Sequence, residues 1–228
     1  MTTRRDPKPR LRSRGGRTAS QIRWLERQLA DRFVAEAKKR GYRARSVFKL
    51  QEIDEKYGVL RKGLAVVDLG AAPGSWTQYA VQKGCRVVAC DLLEMQPVPG
   101  ARFLRGDFTD PDVQARLLEL LEGPADVVLS DAAPSTTGLR NVDRLKSEAL
   151  AEAVLDFAER ALRPGGTCLL KLVKGAEAAL RARVRERFSG WRLIRPAATR
   201  AESSEIFLLA TGFRGGAEPP ADPEARAA

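Results

Sequence analysis

The chain has 228 residues, 43% of them hydrophobic, enough for one large α/β domain with short appendages. No stretch approaches the roughly 18 unbroken apolar residues of a membrane helix, and no apolar segment with a cleavage site follows the charged N-terminus, so a cytoplasmic protein without membrane contact is expected. Cys85, Cys90 and Cys168 lie in apolar or strand-like runs, with no CxxC pair and no histidine in the chain, which argues against a metal site or a disulfide framework. Residues 1–49 hold 16 Lys/Arg against 4 Asp/Glu, or +12, and the remaining 24 against 25 give −1, so the whole net charge of +11 arises at the N-terminal side, where it suits a polyanion such as nucleic acid.

Taken in chain order, residues 1–19, rich in Pro, Gly and Arg, read as a disordered basic tail. Residues 20–40 carry apolar Ile22, Leu25, Leu29, Phe33, Val34 and Ala37 at spacings of three and four, a helical pattern that Gly41 ends. A second helix is expected from Ser46 to Gly58, with Lys49 near its start. Strands are expected at Leu64 to Leu69, Arg86 to Cys90, Arg102 to Leu104, Asp126 to Ser130, Thr167 to Val173, Trp191 to Pro196 and Glu205 to Thr211. Helices are expected at Trp76 to Lys83, Pro111 to Leu121, Asp143 to Leu162 and Ala176 to Phe188. This alternation predicts a mostly parallel seven-stranded sheet with helices on both faces, and an antiparallel pair at one side. Residues 20–212 form the domain, and residues 213–228 read as a disordered tail.

Ligands of such sheets bind at the C-terminal strand ends, and the chemistry-bearing residues gather there. Val66 to Trp76 is a buried strand, then a turn with Gly70 and Gly74, then a helix, and its small residues let a ligand approach the backbone. Only three residues separate the glycines, so this is not the GxGxxG of a dinucleotide site. Asp91 follows the second strand, where a carboxylate can accept from ribose hydroxyls, and Asp107 follows the third, where it can meet an adenine amino group. Such a set without a phosphate-gripping lysine suits S-adenosylmethionine; the plainer reading is that Asp91 and Asp107 only cap turns.

Lys171 interrupts the run Cys168 to Val173, which otherwise reads as a central parallel strand. Burial or a second lysine nearby disfavours the charged form of an amine and prepares it to accept a proton; the alternative is a lysine that reaches solvent from a strand end. Asp131 opens Asp131-Ala132-Ala133-Pro134 at the same sheet edge as the cofactor loop. The Pro-Pro-aromatic run of base amino-methyltransferases and the cysteine of carbon-5 enzymes are both missing there, which leaves oxygen methylation, a reaction that needs a base for the hydroxyl.

With these blocks in order, the sequence resembles the RrmJ/FtsJ methyltransferases, which modify a ribose 2'-oxygen of a uridine in the peptidyl-transferase region of large-subunit ribosomal RNA. The resemblance covers roughly Arg23 to Gly212 and rests on Ser46 to Leu50, Asp68 to Trp76, Cys90 to Leu93, Gly106 to Phe108, Ser130 to Pro134, Lys171 to Gly175, Arg195-Pro196 and Ser204 to Phe207. It implies the Rossmann-like S-adenosylmethionine-dependent methyltransferase fold, and a monomeric cytoplasmic enzyme of ribosome biogenesis whose partner is ribosomal RNA in the large ribosomal subunit. It maps a Lys-Asp-Lys-Glu tetrad onto Lys49, Asp131, Lys171 and Glu205, with Lys171 as proton acceptor, Asp131 tuning it and Lys49 and Glu205 orienting the network and the ribose. Cofactor contacts carry over onto Gly74, Trp76, Asp91, Asp107 and Asp131. Two stretches depart from the family pattern: Thr199 to Ser204 replaces a Ser-Arg-x-x-Ser segment, and Ser135 replaces an asparagine. Enzymes acting on transfer RNA or message caps share the four residue types, so the tetrad gives the reaction and the resemblance gives the RNA. A non-catalytic assembly factor of the same fold would have lost a tetrad residue or spoiled the loop, and a small-molecule O-methyltransferase would lack the basic N-terminus.

Overall fold

A computed structural model describes Thr18, residues 31–135 and residues 137–215. Apart from Thr18 and residues 213–215, the expected tails and the part of the first helix before Asp31 therefore lie outside the described residues; Phe213, expected in the tail, is buried at the end of the last strand. The helices are α1 (Arg32–Lys39), α2 (Val47–Tyr57), α3 (Ser75–Gln82), α4 (Pro111–Leu121), α5 (Arg140–Ala161) and α6 (Glu177–Arg187). The strands are β1 (Ala65–Leu69), β2 (Arg86–Asp91), β3 (Ala101–Arg105), β4 (Ala125–Ser130), β5 (Leu162–Val173), β6 (Phe188–Ile194) and β7 (Glu205–Phe213). They form one sheet in the order β3-β2-β1-β4-β5-β7-β6. β1 to β5 run parallel, and β7 lies antiparallel between β5 and β6.

Local chemistry sets the helix starts. Asp31 caps α1 by accepting from Phe33 N–H at 3.0 Å, and Asp110 caps α4 by accepting from Asp112 N–H at 2.9 Å, just ahead of Pro111. Ser46 gives α2 no such cap; its hydroxyl lies 2.9 Å from that of Ser75 instead, tying α2 to the start of α3.

The sheet separates two apolar layers. Val67, Leu69, Val128, Leu170 and Leu172 face Leu117 of α4, Leu155 and Phe157 of α5 and Leu180 of α6. Val66, Val127, Leu129, Leu169, Phe207 and Leu209 face Val47, Leu50 and Ile53 of α2 and Trp76 of α3. Removing each such aliphatic side chain from water contributes about 1.5–3 kcal/mol, so α2 is firmly docked on this second face. Lys171 shares its parity along β5 with Leu169, Glu205 its parity with Phe207, and Asp131 continues the parity of Val127 and Leu129. All three thus belong to the face that α2 covers.

β5 begins at Leu162, five residues before the expected start, because Leu162 pairs with Ala125 and the irregular Arg163-Pro164-Gly165-Gly166 stretch is bridged by a register shift. Phe188 opens β6 instead of closing α6, and its ring packs 5.4 Å from that of Phe213. β5 is parallel to β4 but antiparallel to β7, so the strand bearing Lys171 is central without being flanked by parallel strands on both sides.

Candidate active site

At the C-terminal end of β1 the chain turns under the end of β2. Gly70 and Ala71 N–H donate to the Cys90 carbonyl at 2.9 and 3.1 Å, and Ala72 N–H donates to Asp91 Oδ2 at 2.8 Å. Asp91 Oδ1 accepts from Leu93 N–H at 2.8 Å, so this half-buried carboxylate is held rigidly beside the loop. Gly70 has φ +73°, and a Cβ there would lie 2.5 Å from Ala132 Cβ and 2.7 Å from Ala132 Cα. Gly74 caps α3 at φ +101°, where a Cβ would meet Met95 Sδ at 3.1 Å and Val98 Cγ2 at 3.2 Å. Both positions need the left-handed conformation and the absence of a side chain.

Trp76 lies otherwise than a ligand-facing side chain would. Its indole is 2% exposed, donates to the Ser46 carbonyl at 2.9 Å and packs 5.7 Å from the Phe207 ring. What it offers the loop is the backbone N–H of the second helical residue, which has no partner within the helix. Asp107 is exposed, and its Oδ1 accepts from Thr109 N–H at 2.9 Å and Thr109 Oγ1 at 2.7 Å, which is the turn-capping arrangement. It lies at the third strand end, next to Asp91 through the bond from Gly106 N–H to the Asp91 carbonyl at 3.0 Å.

Lys49, Asp131, Lys171 and Glu205 meet at one point of this edge. β4 and β5 pair with Ser130 opposite Leu170, which brings Asp131 level with Lys171, and Glu205 opens β7 opposite Val173. Lys171 Nζ lies 3.0 Å from Asp131 Oδ1 and also donates to the Asp131 backbone carbonyl. Lys49 reaches in from the first turn of α2, donates to Glu205 Oε1, lies 4.0 Å from Asp131 Oδ1 and sits 5.6 Å from the centre of the Phe207 ring. The four side chains retain 12% to 20% exposure, enough to meet a substrate but little enough to hold their pairs. Lys171 therefore does not extend to solvent; its amine is fixed by Asp131.

Beside the tetrad opens a cavity of about 370 Å³ lined by Arg45, Ser46, Lys49, Arg200, Glu202, Ser203 and Glu205. Behind it Asp31 pairs with Arg45 and, at 3.3 Å, with Arg200 Nε. Of these residues, Arg45 and Asp31 were not singled out by sequence, while Arg200, Glu202 and Ser203 lie in the Thr199 to Ser204 segment that departs from the family pattern. Among the described residues no group of three or more Cys, Asp or Glu could hold a metal ion, and no helix is long and apolar enough to cross a membrane.

Asp68, the residue two before Gly70, is buried in β1 with Oδ2 accepting from Thr77 Oγ1 at 2.6 Å and Oδ1 without a partner. Burial, reinforced by the charges of Asp131 and Asp91 and opposed by the Thr77 bond, pushes its carboxyl up to about 7.

The chain matches the family described as FtsJ-like methyltransferase over residues 42–213. It is 47% identical over 214 residues to the ribosomal RNA large subunit methyltransferase E of Gluconobacter oxydans, covering 93% of this chain and 80% of that one. The protein of the same name from Rhodopseudomonas palustris is 50% identical over 214 residues, covering 91% and 90%. Among solved structures, a ribosomal RNA methyltransferase of Plasmodium falciparum superposes with a TM-score of 0.69 at 28% identity, covering 77% of this chain and 100% of that one.

Proposed function

From the premise that this chain belongs to the FtsJ-like methyltransferase family, we propose that it transfers a methyl group from S-adenosylmethionine to a ribose 2'-oxygen of a uridine in large-subunit ribosomal RNA. The large ribosomal subunit is the proposed partner, met by a monomeric enzyme whose basic N-terminal segment adds affinity for RNA. One observation carries the reading: Lys171, held by Asp131 at 3.0 Å, sits at the same strand-end edge as the Gly70 to Trp76 loop, with the Lys49 and Glu205 pair beside it.

The loop fits the methyl donor. Gly74 leaves a space that a Cβ would fill, Asp91 is anchored by Ala72 and Leu93 with its carboxylate at the second strand end, and the loop from Gly70 to Trp76 itself carries no lysine to grip a phosphate. Gly74, Trp76 through its backbone, Asp91, Asp107 and Asp131 are the residues proposed to hold it. When bound, S-adenosylmethionine supplies a methyl group as an electrophile on a positively charged sulfur.

The residues of the chain then handle the hydroxyl. Lys171 Nζ donates to the Asp131 carbonyl and lies 3.0 Å from Asp131 Oδ1, so its amine is held at the edge where the 2'-hydroxyl would arrive. In the proposed reaction the lone pair of the neutral amine accepts the 2'-hydroxyl proton as the ribose oxygen takes the methyl group from the donor sulfur. Lys49 and Glu205 flank the cavity that receives the ribose and fix its approach, the positioning part of the rate.

The test is to map ribose methylation in ribosomal RNA from cells with and without the gene, then to restore the gene as wild type or as Lys171→Arg. A large-subunit uridine should lose its 2'-O-methyl without the gene, regain it with wild type and not with Lys171→Arg, whose guanidinium stays protonated and cannot take the proton. A positioned base contributes about 10²- to 10⁴-fold in rate, so purified Lys171→Arg should fall by that order. An unchanged methylation map would overturn the substrate; a Lys171→Arg protein at near wild-type rate would overturn the base.

A further inference from the structure

Arg195 follows β6 and begins the loop that ends at Glu205, and its guanidinium points into that loop instead of away from it. Nη1 donates to the Ser203 carbonyl at 2.7 Å and the Glu205 carbonyl at 3.1 Å; Nη2 donates to the Arg200 carbonyl at 3.0 Å and the Ala201 carbonyl at 3.3 Å. The two terminal nitrogens of a guanidinium carry four N–H groups, and all four meet a backbone carbonyl. Four carbonyls converging on one point would repel one another without a cation between them. We infer that Arg195 is a positioning residue: its guanidinium is the hub on which the segment from Arg200 to Glu205 is wound, and through it Glu205 is presented to Lys49.

The rest of the loop supports this division of labour. Its outer end is pinned by other means, since Glu52 of α2 accepts from Ala197 N–H at 3.0 and 2.7 Å and the Ala198 carbonyl accepts from Arg45. The segment beyond Thr199 is held by the Ser203 to Arg200 turn bond, the Glu205 N–H bond to Ser203 Oγ at 3.2 Å, the Lys174 N–H bond to the Ser204 carbonyl, the Arg200 pair with Asp31 and the Arg195 hub, of which the hub alone gathers four of its carbonyls. That segment supplies Arg200, Glu202, Ser203 and Glu205, four of the seven residues lining the 370 Å³ cavity beside the tetrad. Arg195 itself does not line the cavity and is exposed, so its effect on the reaction runs through the residues it holds. Any cation with several donors can serve carbonyls, whereas bidentate carboxylate recognition would demand arginine; Arg195→Lys, with three N–H donors, should therefore retain most of the function.

The inference rests on the ribose-methylation reading, and its test has one arm that does not. In single turnover with large-subunit ribosomal RNA at saturating cofactor, Arg195→Ala should lose roughly tenfold or more in rate, the scale of a misplaced positioning group, with cofactor affinity unchanged. Arg195→Lys should restore the rate to within a few-fold. In a Glu205→Gln background the Arg195→Ala change should cost less than about threefold further, because residues acting through one contact are not additive. Independently of any RNA, hydrogen exchange in Arg195→Ala should quicken at the amides of Ser203 and Glu205 while those of β5 and β7 beyond Ile206 stay protected. Additive losses with Glu205→Gln, equal failure of the alanine and lysine variants, or unchanged exchange in the loop would each overturn the hub. Absence of methylation by the wild type would count against the substrate reading alone, and the exchange arm would still decide this one.

Discussion

Replacing Asp68 by asparagine should remove the pH dependence that this site gives to stability. The carboxyl is 1% exposed, has one partner in Thr77 and is pushed from its ordinary 3.8 up to about 7, chiefly by burial. The folded protein therefore binds this proton more readily than the unfolded chain. Its contribution is fully present below the ordinary carboxylate range, declines from about pH 4 to about pH 7 and is gone above that. At about 1.4 kcal/mol per pH decade, the interval from 3.8 to about 7 spans about 4 kcal/mol, of which about 3 lies between pH 5 and pH 8. Asparagine keeps an oxygen for the Thr77 hydroxyl and places an amide N–H₂ where Oδ1 finds no partner, at about 1–3 kcal/mol, but that penalty does not change with pH. Urea unfolding of both proteins at pH 5 and pH 8 isolates the ionisation. The stability difference between variant and wild type should move by about 3 kcal/mol toward the variant at the higher pH. A difference that is the same at both pH values would refute the account of Asp68 as a carboxyl held near neutrality.

Asp91→Ala removes a carboxylate anchored by two backbone N–H groups and should weaken S-adenosylmethionine by about 1–3 kcal/mol in calorimetry; unchanged affinity would remove Asp91 from the cofactor site. Burial pushes the Cys85 thiol up to about 11 and those of Cys90 and Cys168 up to about 12, so none should react with a maleimide at pH 8 until the protein is unfolded. Exchanging the nine Lys and Arg of residues 1–30 for glutamine should lower affinity for ribosomal RNA and flatten its dependence on salt, since each lost phosphate contact takes about one from the slope of log K against log salt. An unaltered slope would make that segment a bystander.

The sheet was legible because its strands are apolar and its helices periodic, and the parity of Lys171 with Leu169 or of Glu205 with Phe207 can be counted without coordinates. Strand edges at Arg163-Pro164-Gly165-Gly166 were not, since proline and glycine argue against a strand unless a neighbour, here Ala125 with Leu162, supplies the pairing. The ion pair of Lys49 with Glu205 spans 156 positions and depends on how α2 docks across the sheet, a tertiary outcome that no local pattern holds; the resemblance placed the two residues in one tetrad but did not pair them. Trp76 and Asp107 show the opposite case. Their place in a motif was readable, but whether a side chain turns toward a ligand or toward its own fold depends on neighbours such as Ser46, Phe207 and Thr109.

The contact of Gly70 with Ala132 gives the edge a fixed gauge. The loop proposed to seat the methyl donor and the loop that begins with Asp131 meet at Gly70 and Ala132, where an added Cβ would stand 2.5 Å from Ala132 Cβ and 2.7 Å from its backbone Cα, atoms that no rotamer can move. A spacing set by side chains can be retuned by a change of rotamer, but one set by main chain cannot. A residue larger than glycine at position 70 would act as a shim between the two loops, driving Asp131, and Lys171 with it, away from the donor. Under the proposed chemistry the methyl carbon and the ribose oxygen must meet within a fraction of an ångström of the productive distance, and a 1 Å misplacement can cost about 10²-fold. Gly70→Ala should thus lose rate on that order in single turnover at saturating cofactor and RNA.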